Sequence, residues 1–171
     1  MRLTGFDLSL FAADGTFKRP ALSYLAMHYM VRDSPIRLSA PPMNASGVTY
    51  IAGISEDKTN VSILVSNYGE HDATYTLNVT DLPWDGCRAV HYLIDDSHHL
   101  EITKNESISS RNFSTTMVIK GNSVQFIRLT NSTAIPDEGP EVASIPFLLR
   151  IPLLDPIFKF IGFILLMMIF G

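Results

Sequence analysis

From Ile36 to Thr130 apolar residues recur at every second position, and this alternation limits the chain's fold more than any other feature. A strand sends successive side chains to opposite faces, so such a repeat makes a ribbon with one dry and one wet side. Val48, Tyr50, Ala52 and Ile54 alternate with Thr49 and Gly53, and Val61, Ile63 and Val65 with Ser62 and Ser66. Tyr75, Leu77 and Val79 alternate with Thr74, Thr76, Asn78 and Thr80, and further runs are "CRAVHYLI", "HHLEITK", "FSTTMVIKG" and "NSVQFIRLT". Turn-forming clusters separate them at Glu56–Asp57–Lys58, Tyr68–Gly69–Glu70, Pro83–Trp84–Asp85–Gly86 and Lys120–Gly121–Asn122. About eight short strands at this spacing predict a mainly β fold, an antiparallel β-sandwich over residues 35–131.

The chain begins differently. In "TGFDLSLFAADGTFKRP" the apolar positions Phe6, Leu8 and Leu10 alternate before a turn at Asp14–Gly15. Pro20 suits the first helical position, where its missing N–H costs nothing. Leu22, Leu25, Ala26 and Tyr29 then recur at helical spacing and form one apolar stripe. The helix is expected to stop near Arg32, because Ser34 precedes Pro35 and is pushed out of the helical region. Residues 1–34 thus read as a strand, a turn and an amphipathic helix whose stripe needs a partner, for which the sandwich is expected to serve.

After the sandwich, "NSTAIPDEGPEVASIP" carries three prolines and a glycine, so residues 132–146 read as a linker. Residues 147–171 form an apolar tail, expected to be helical. Its uninterrupted apolar run, Phe160 to Phe170, falls short of the roughly twenty residues a bilayer-spanning helix needs. Extension back to Ile145 admits Arg150, Asp155 and Lys159. A membrane anchor, a lipid-anchor attachment signal and a spurious exon end compete here, and membrane association is the expectation.

Thirteen basic residues against 17 acidic give a net charge of -4, and no basic stripe or like-charge run appears, which argues against a nucleic-acid partner. Six of eight asparagines begin an N-x-[ST] triplet: Asn44, Asn60, Asn78, Asn105, Asn112 and Asn131. With Ser and Thr at roughly one residue in six, about one such triplet would arise by chance. The excess points to the glycosylating secretory pathway and an extracellular or membrane-attached product. Near Met1 no apolar run suits a secretory signal, so a glycosylated product implies a protein that starts further upstream. In this reading each asparagine has access to a solvated face; Asn60 and Ser62 are placed opposite Val61 and Ile63.

The densest polar cluster, "YLIDDSHHLEI", brings Asp95, Asp96, His98, His99 and Glu101 together. These could form an acid–base pair or a metal site, but no Cys partner and no His pair at helical spacing stands nearby. The competing reading is a polar turn between strands, with Asp95 bonded to nearby backbone amides. Trp84, with Tyr68 and Tyr92, could form a platform for stacking sugars, or Trp84 could cap one end of the core. Asp95, Asp96, His98 and Trp84 are therefore the candidate sugar contacts. Lone Cys87 reads as a buried small hydrophobe. No nucleophile elbow, phosphate loop or dinucleotide fingerprint occurs, and no cofactor, metal ligand or catalytic residue is assigned.

Three stretches carry a resemblance. "GFDLSLFAADGTFKRPALSYLAMHYM" resembles the last strand–loop–helix unit of the (β/α)8 barrel in clan A glycoside hydrolases; Phe11, Asp14, Gly15, Lys18, Pro20 and Ala21 match a G-L-F-x-x-D-G-x-x-K-P-A-like pattern. "SILVSNYG" is similar to a strand of the small β-sandwich that follows the barrel, most closely in glycoside hydrolase family 39, the xylosidase and iduronidase group, though Ser66 stands where Trp is common. "AVHYLIDDSHH" resembles that family's R-I-D-x-x-H segment, with His91 or Tyr92 near the usual Arg. The likeness covers roughly residues 3–130.

The resemblance implies a non-catalytic sandwich, preceded by a barrel remnant, from a secreted or membrane-attached retaining glycoside hydrolase. Its partners would be the missing catalytic barrel, carbohydrate, and a membrane through residues 147–171. Such enzymes carry two catalytic glutamates after the fourth and seventh barrel strands, and no residue here matches them, so the chain alone is expected to be inactive. The alternative is a stand-alone cell-surface glycoprotein with an adhesive or carbohydrate-binding sandwich.

Overall fold

The computed structural model describes residues 10–12, 15–39 and 47–131. Expectations for Phe6, Leu8, Asp14, Asn44, the linker and the apolar tail lie outside these residues. One helix, α1 (Arg19–Asp33), precedes eight strands: β1 (Ile36–Arg37), β2 (Val48–Ile54), β3 (Asn60–Asn67), β4 (Ala73–Val79), β5 (Cys87–Ile94), β6 (His99–Ile108), β7 (Phe113–Ile119) and β8 (Ser123–Thr130). They form two antiparallel sheets, one of six strands in the order β1-β2-β3-β8-β5-β6 and one of β4 and β7. The expected sandwich is present, with the two-residue β1 as its eighth strand.

Helix α1 forms where the stripe predicts. Pro20 sits in its first turn and Arg32 in its last, where a cation meets the negative end of the helix dipole. The helix ends at the residue before Ser34–Pro35, and the Ser34 N–H donates to Met30 O at 2.8 Å. Ala21, Leu22, Ala26, Tyr29 and Met30 are buried. Of these, Leu22, Ala26, Tyr29 and Met30 pack on Val90, Tyr92, Ile94, Leu100 and Phe126, the face of the large sheet turned away from the small one. The other face supplies Val61, Ile63, Val65, Ala89, Ile127 and Leu129, which meet Tyr75, Phe113 and Ile119 of β4 and β7. The large sheet is therefore covered on both sides.

One expectation needs correcting. The face of β3 opposite Val61 and Ile63 was expected to be solvated; Ser62 is instead fully buried, and its hydroxyl shares a 2.8 Å hydrogen bond with Ser34 Oγ. Leu64 lies on that side too and packs against the helix-side core. Strands β5 and β8 show the same thing in their sequences. Ala89–Val90–His91–Tyr92 and Phe126–Ile127 are consecutive buried residues, the mark of a strand buried on both faces.

The chain leaves the helix through a tight passage. A Cβ on Gly53 would collide with the Ser34 carbonyl oxygen, so only glycine lets β2 run so close beneath the helix exit. Two ion pairs clamp the helix ends: Arg19 to Asp96 at 3.0 Å, and Asp33 to Arg128 at 3.2 Å. The first is well exposed and contributes little; the second, with both side chains about a fifth exposed or less, contributes more.

Helix docking is tested by truncation. Leu22→Ala is expected to cost about 2–5 kcal/mol, and Tyr24→Ala, on the exposed side, under about 0.5 kcal/mol. Urea unfolding of both variants checks this, and equal losses would show that the stripe is not seated.

Candidate functional site

The polar residues singled out in the sequence gather at the turn between β5 and β6. Asp95 directly follows β5 and is almost completely buried. Its Oδ1 accepts from the Ser97 N–H at 2.8 Å, the His98 N–H at 2.9 Å and His98 Nδ1 at 2.8 Å. Its Oδ2 is buried without a hydrogen bond and stands 3.6 Å from Lys120 Nζ. Burial alone would push the Asp95 carboxyl up, but the amides of Ser97 and His98 and the His98 ring outweigh it and hold it below the ordinary carboxylate value. Asp96 points outward to Arg19 at the start of α1, and Arg19 also reaches Asn122 O at 3.5 Å. The β5–β6 turn, the β7–β8 turn and the N-terminal end of α1 thus meet through charged side chains.

Backbone irregularities shape this corner. The β5–β6 register shifts between Leu93 and Ile94 and again between His91 and Tyr92, leaving Leu100 and Thr103 as extra residues in β6. Leu100 has φ 68°, a conformation that costs a non-glycine residue on the order of 1 kcal/mol. Its side chain, buried in the helix-side core, offsets that cost. The first shift lets Ile102 rather than Glu101 stand opposite Tyr92 beneath the helix.

Further along the same hairpin, His91 is buried beside Phe113, ring centroids 6.3 Å apart. Its Nε2 stands 3.2 Å from Glu106 Oε1, an arrangement a neutral imidazole satisfies by donating Nε2–H. Lys104 Nζ pairs with the same carboxylate oxygen at 2.8 Å. Burial lowers the His91 pKa from its ordinary 6.5, and Lys104 adds to this, against the opposing pull of Glu106. Sequence reasoning passed over this pair because two residues fifteen apart show no local motif; only the hairpin register brings them together.

Trp84 lies elsewhere. It donates from Nε1 to Lys58 O at 2.6 Å and packs on the sandwich core at the start of β5. Eight residues of strand, roughly 25 Å, separate it from Asp95. Tyr68 is exposed beyond the far end of β3, while Tyr92 is fully buried under α1. The three aromatics do not form one platform. Cys87 is buried and its thiol pKa is raised by burial. Asn78, Asn105, Asn112 and Asn131 are exposed, and Asn60 is half-buried. Asn60 borders an open cleft of about 710 Å³ between the end of α1 and the β2–β3 turn, lined by Arg32, Asp33, Ser55, Asp57 and Arg128 among others. Among the described residues no group of three or more His, Cys, Asp or Glu could hold a metal ion, and no helix is long and apolar enough to cross a membrane.

No family model and no curated protein matches the chain. Its fold does match solved structures. A glucosidase from Croceicoccus marinus aligns over 72% of this chain and 33% of its own, with TM-score 0.63 and 18% identity. A GH30 endoxylanase from Clostridium papyrosolvens aligns over 68% of this chain and 29% of its own, with TM-score 0.55 and 17% identity. The GH39 enzyme from Xanthomonas axonopodis pv. citri aligns over 71% of this chain and 32% of its own, with TM-score 0.53 and 12% identity. This chain spans about a third of each. At these identities the likeness is one of fold, shared with glycoside hydrolases of more than one family.

Acidification is expected to remove stability in two stages. His91 has a folded pKa below its unfolded value, so its contribution is complete above about pH 6.5 and is lost as pH falls from there through the lower folded value. Asp95 and Glu106 have folded values below their ordinary ones, so theirs persists to lower pH and is lost as pH falls through the folded values. Urea midpoints across the acid range should show both stages, and His91→Gln should lack the upper one. A wild-type midpoint flat through the histidine range would count against the buried neutral ring. At the turn, Asp95→Ala strands the Ser97 and His98 amides and should cost about 1–3 kcal/mol, and Asp95→Asn, which keeps an acceptor, less. Equal losses would shift the weight to the charge.

Proposed function

We propose that this chain is the non-catalytic β-sandwich portion of a secreted or membrane-attached clan A glycoside hydrolase, closest to family 39, packing against and stabilising a (β/α)8 catalytic barrel. One observation carries the reading: a helix seated on the outer face of a six-stranded sheet, in a fold that matches about a third of a glucosidase at TM-score 0.63. The barrel-like motif before α1 and the "AVHYLIDDSHH" segment support it. The hydrolysis itself belongs to the barrel, since a retaining mechanism needs two carboxyl groups about 5 Å apart at a rigid mouth.

The same reading gives the polar corner a role. In such barrels the loop that precedes a helix lies at the substrate mouth. Arg19 opens α1 and holds Asp96, which supports assigning the turn from Asp95 to His98, with Lys120, to the mouth side of the junction. We assign Asp95, Asp96 and His98 to the outer rim of the sugar groove, with Asp95 as its internal brace. Trp84, at the other end of β5, takes no part in that rim. The six N-x-[ST] asparagines support carriage through the secretory pathway, and the apolar tail supports membrane attachment.

Genomic sequence upstream of the Met1 codon tests the proposal. An in-frame barrel bearing two glutamates supports it; a signal peptide preceded by a stop codon overturns it in favour of a stand-alone surface glycoprotein. The purified chain should release no chromophore from an aryl xyloside, and turnover by the chain alone would refute the non-catalytic role. Glycosidase treatment of the protein from its native host should lower its intact mass; an unchanged mass would remove the secretory part.

A further inference from the structure

We propose that Asn60 is a glycosylation site that can be modified only before β3 folds, unlike Asn78, Asn105 and Asn112; this rests on the secretory reading above. In the transfer, the Asn60 side-chain nitrogen forms a bond to C1 of a sugar carried on a lipid pyrophosphate. The C1–O bond to pyrophosphate breaks with its electron pair, and the amide gives up one proton. The hydroxyl of the third residue in the triplet must be within reach of the modifying enzyme, because the triplet is what that enzyme reads.

In the folded chain that hydroxyl is out of reach. Ser62 is fully buried beneath α1 and bonded to Ser34 Oγ at 2.8 Å. Asn60 is fixed as well: its N–H donates to Ser55 Oγ at 2.9 Å, its carbonyl accepts from the Ser55 N–H at 2.9 Å, and its Nδ2 donates to Thr59 Oγ1 at 3.0 Å. Strand β3 is interior to its sheet, with Ser62 opposite Gly53 of β2 and Arg128 of β8. The other three triplets make side-chain hydrogen bonds too, at the surface, but differ in exposure and in place within the sheet. Asn78 with Thr80, Asn105 with Ser107 and Asn112 with Ser114 are all exposed, on or beside β4, β6 and β7, which have unpaired edges.

Chain order leaves time for the reaction. The partner that closes β3, β8, is the last strand among the described residues and ends about seventy residues after Asn60. At a synthesis rate of about 5–20 residues per second, β3 is without its β8 partner for on the order of ten seconds. Once attached, the sugar has room in the open cleft that Asn60 borders, so the strand can still close.

The test uses the full chain made without carbohydrate, folded, and exposed to an oligosaccharyltransferase with lipid-linked oligosaccharide. A peptide spanning residues 56–66 serves as the unfolded reference, and glycopeptide mass spectrometry reads each site. Expected is modification of Asn60 in the peptide and none in the folded chain. Modification of Asn60 in the folded chain, or an unmodified peptide, overturns the proposal. The secretory reading fails by a separate result: empty Asn78, Asn105 and Asn112 in protein from the native host.

Discussion

The whole arrangement depends on one sheet being dry on both faces. Strands β3, β8 and β5 lie at its centre, with β4 and β7 over one side and α1 over the other. Each fully buried aliphatic or aromatic side chain contributes on the order of 1.5–3 kcal/mol. Removing either cover would expose a row of them. The helix is therefore no appendage. It closes the second core, and its exit at Ser34 also occupies the one hydroxyl on β3 that would otherwise be buried without a partner.

Much of this was legible in the sequence, and for a physical reason. Alternation in β4 and β7 is clean because those strands keep one face in water, and their register pairs Thr76 with Thr116 and Asn78 with Ser114 on the wet side. The helix stripe was equally plain, since Leu22, Ala26 and Tyr29 must share a face. The seat of that stripe on the sandwich was expected too; what escaped was that the off-beat positions of the central strands line this second core. Ser62 sits at an off-beat position and reads as solvent-facing, yet small polar residues are accommodated in a dry interface when each finds the other, as Ser34 and Ser62 do. Nothing local in either sequence stretch announces a partner twenty-eight residues away.

Of the two readings of the polar corner, the self-bonded turn is the one whose hydrogen bonds the structure shows, and its connections to other elements were not legible. Asp95 bonding its own turn follows from the tendency of aspartate to accept amides two and three residues ahead. Its approach to Lys120 and the grip of Asp96 on Arg19 depend on two separate turns meeting the start of α1, which only the assembled sheet brings about. Trp84 shows the converse. Its aromatic face suggested a ligand, whereas the indole N–H is engaged by the Lys58 carbonyl and the ring seals one end of the sandwich.

Strand β6 forms one border of the large sheet, and a border is a hazard: a regular row of free N–H and C=O groups invites a second molecule to add its own strand. The two inserted residues, Leu100 and Thr103, interrupt that row twice within four positions and bend the strand round the helix. The cost of holding a leucine in the left-handed region thus has a return beyond its own neighbourhood. It makes the open flank a poor template, and helps to keep a sheet this apolar from growing into a fibre.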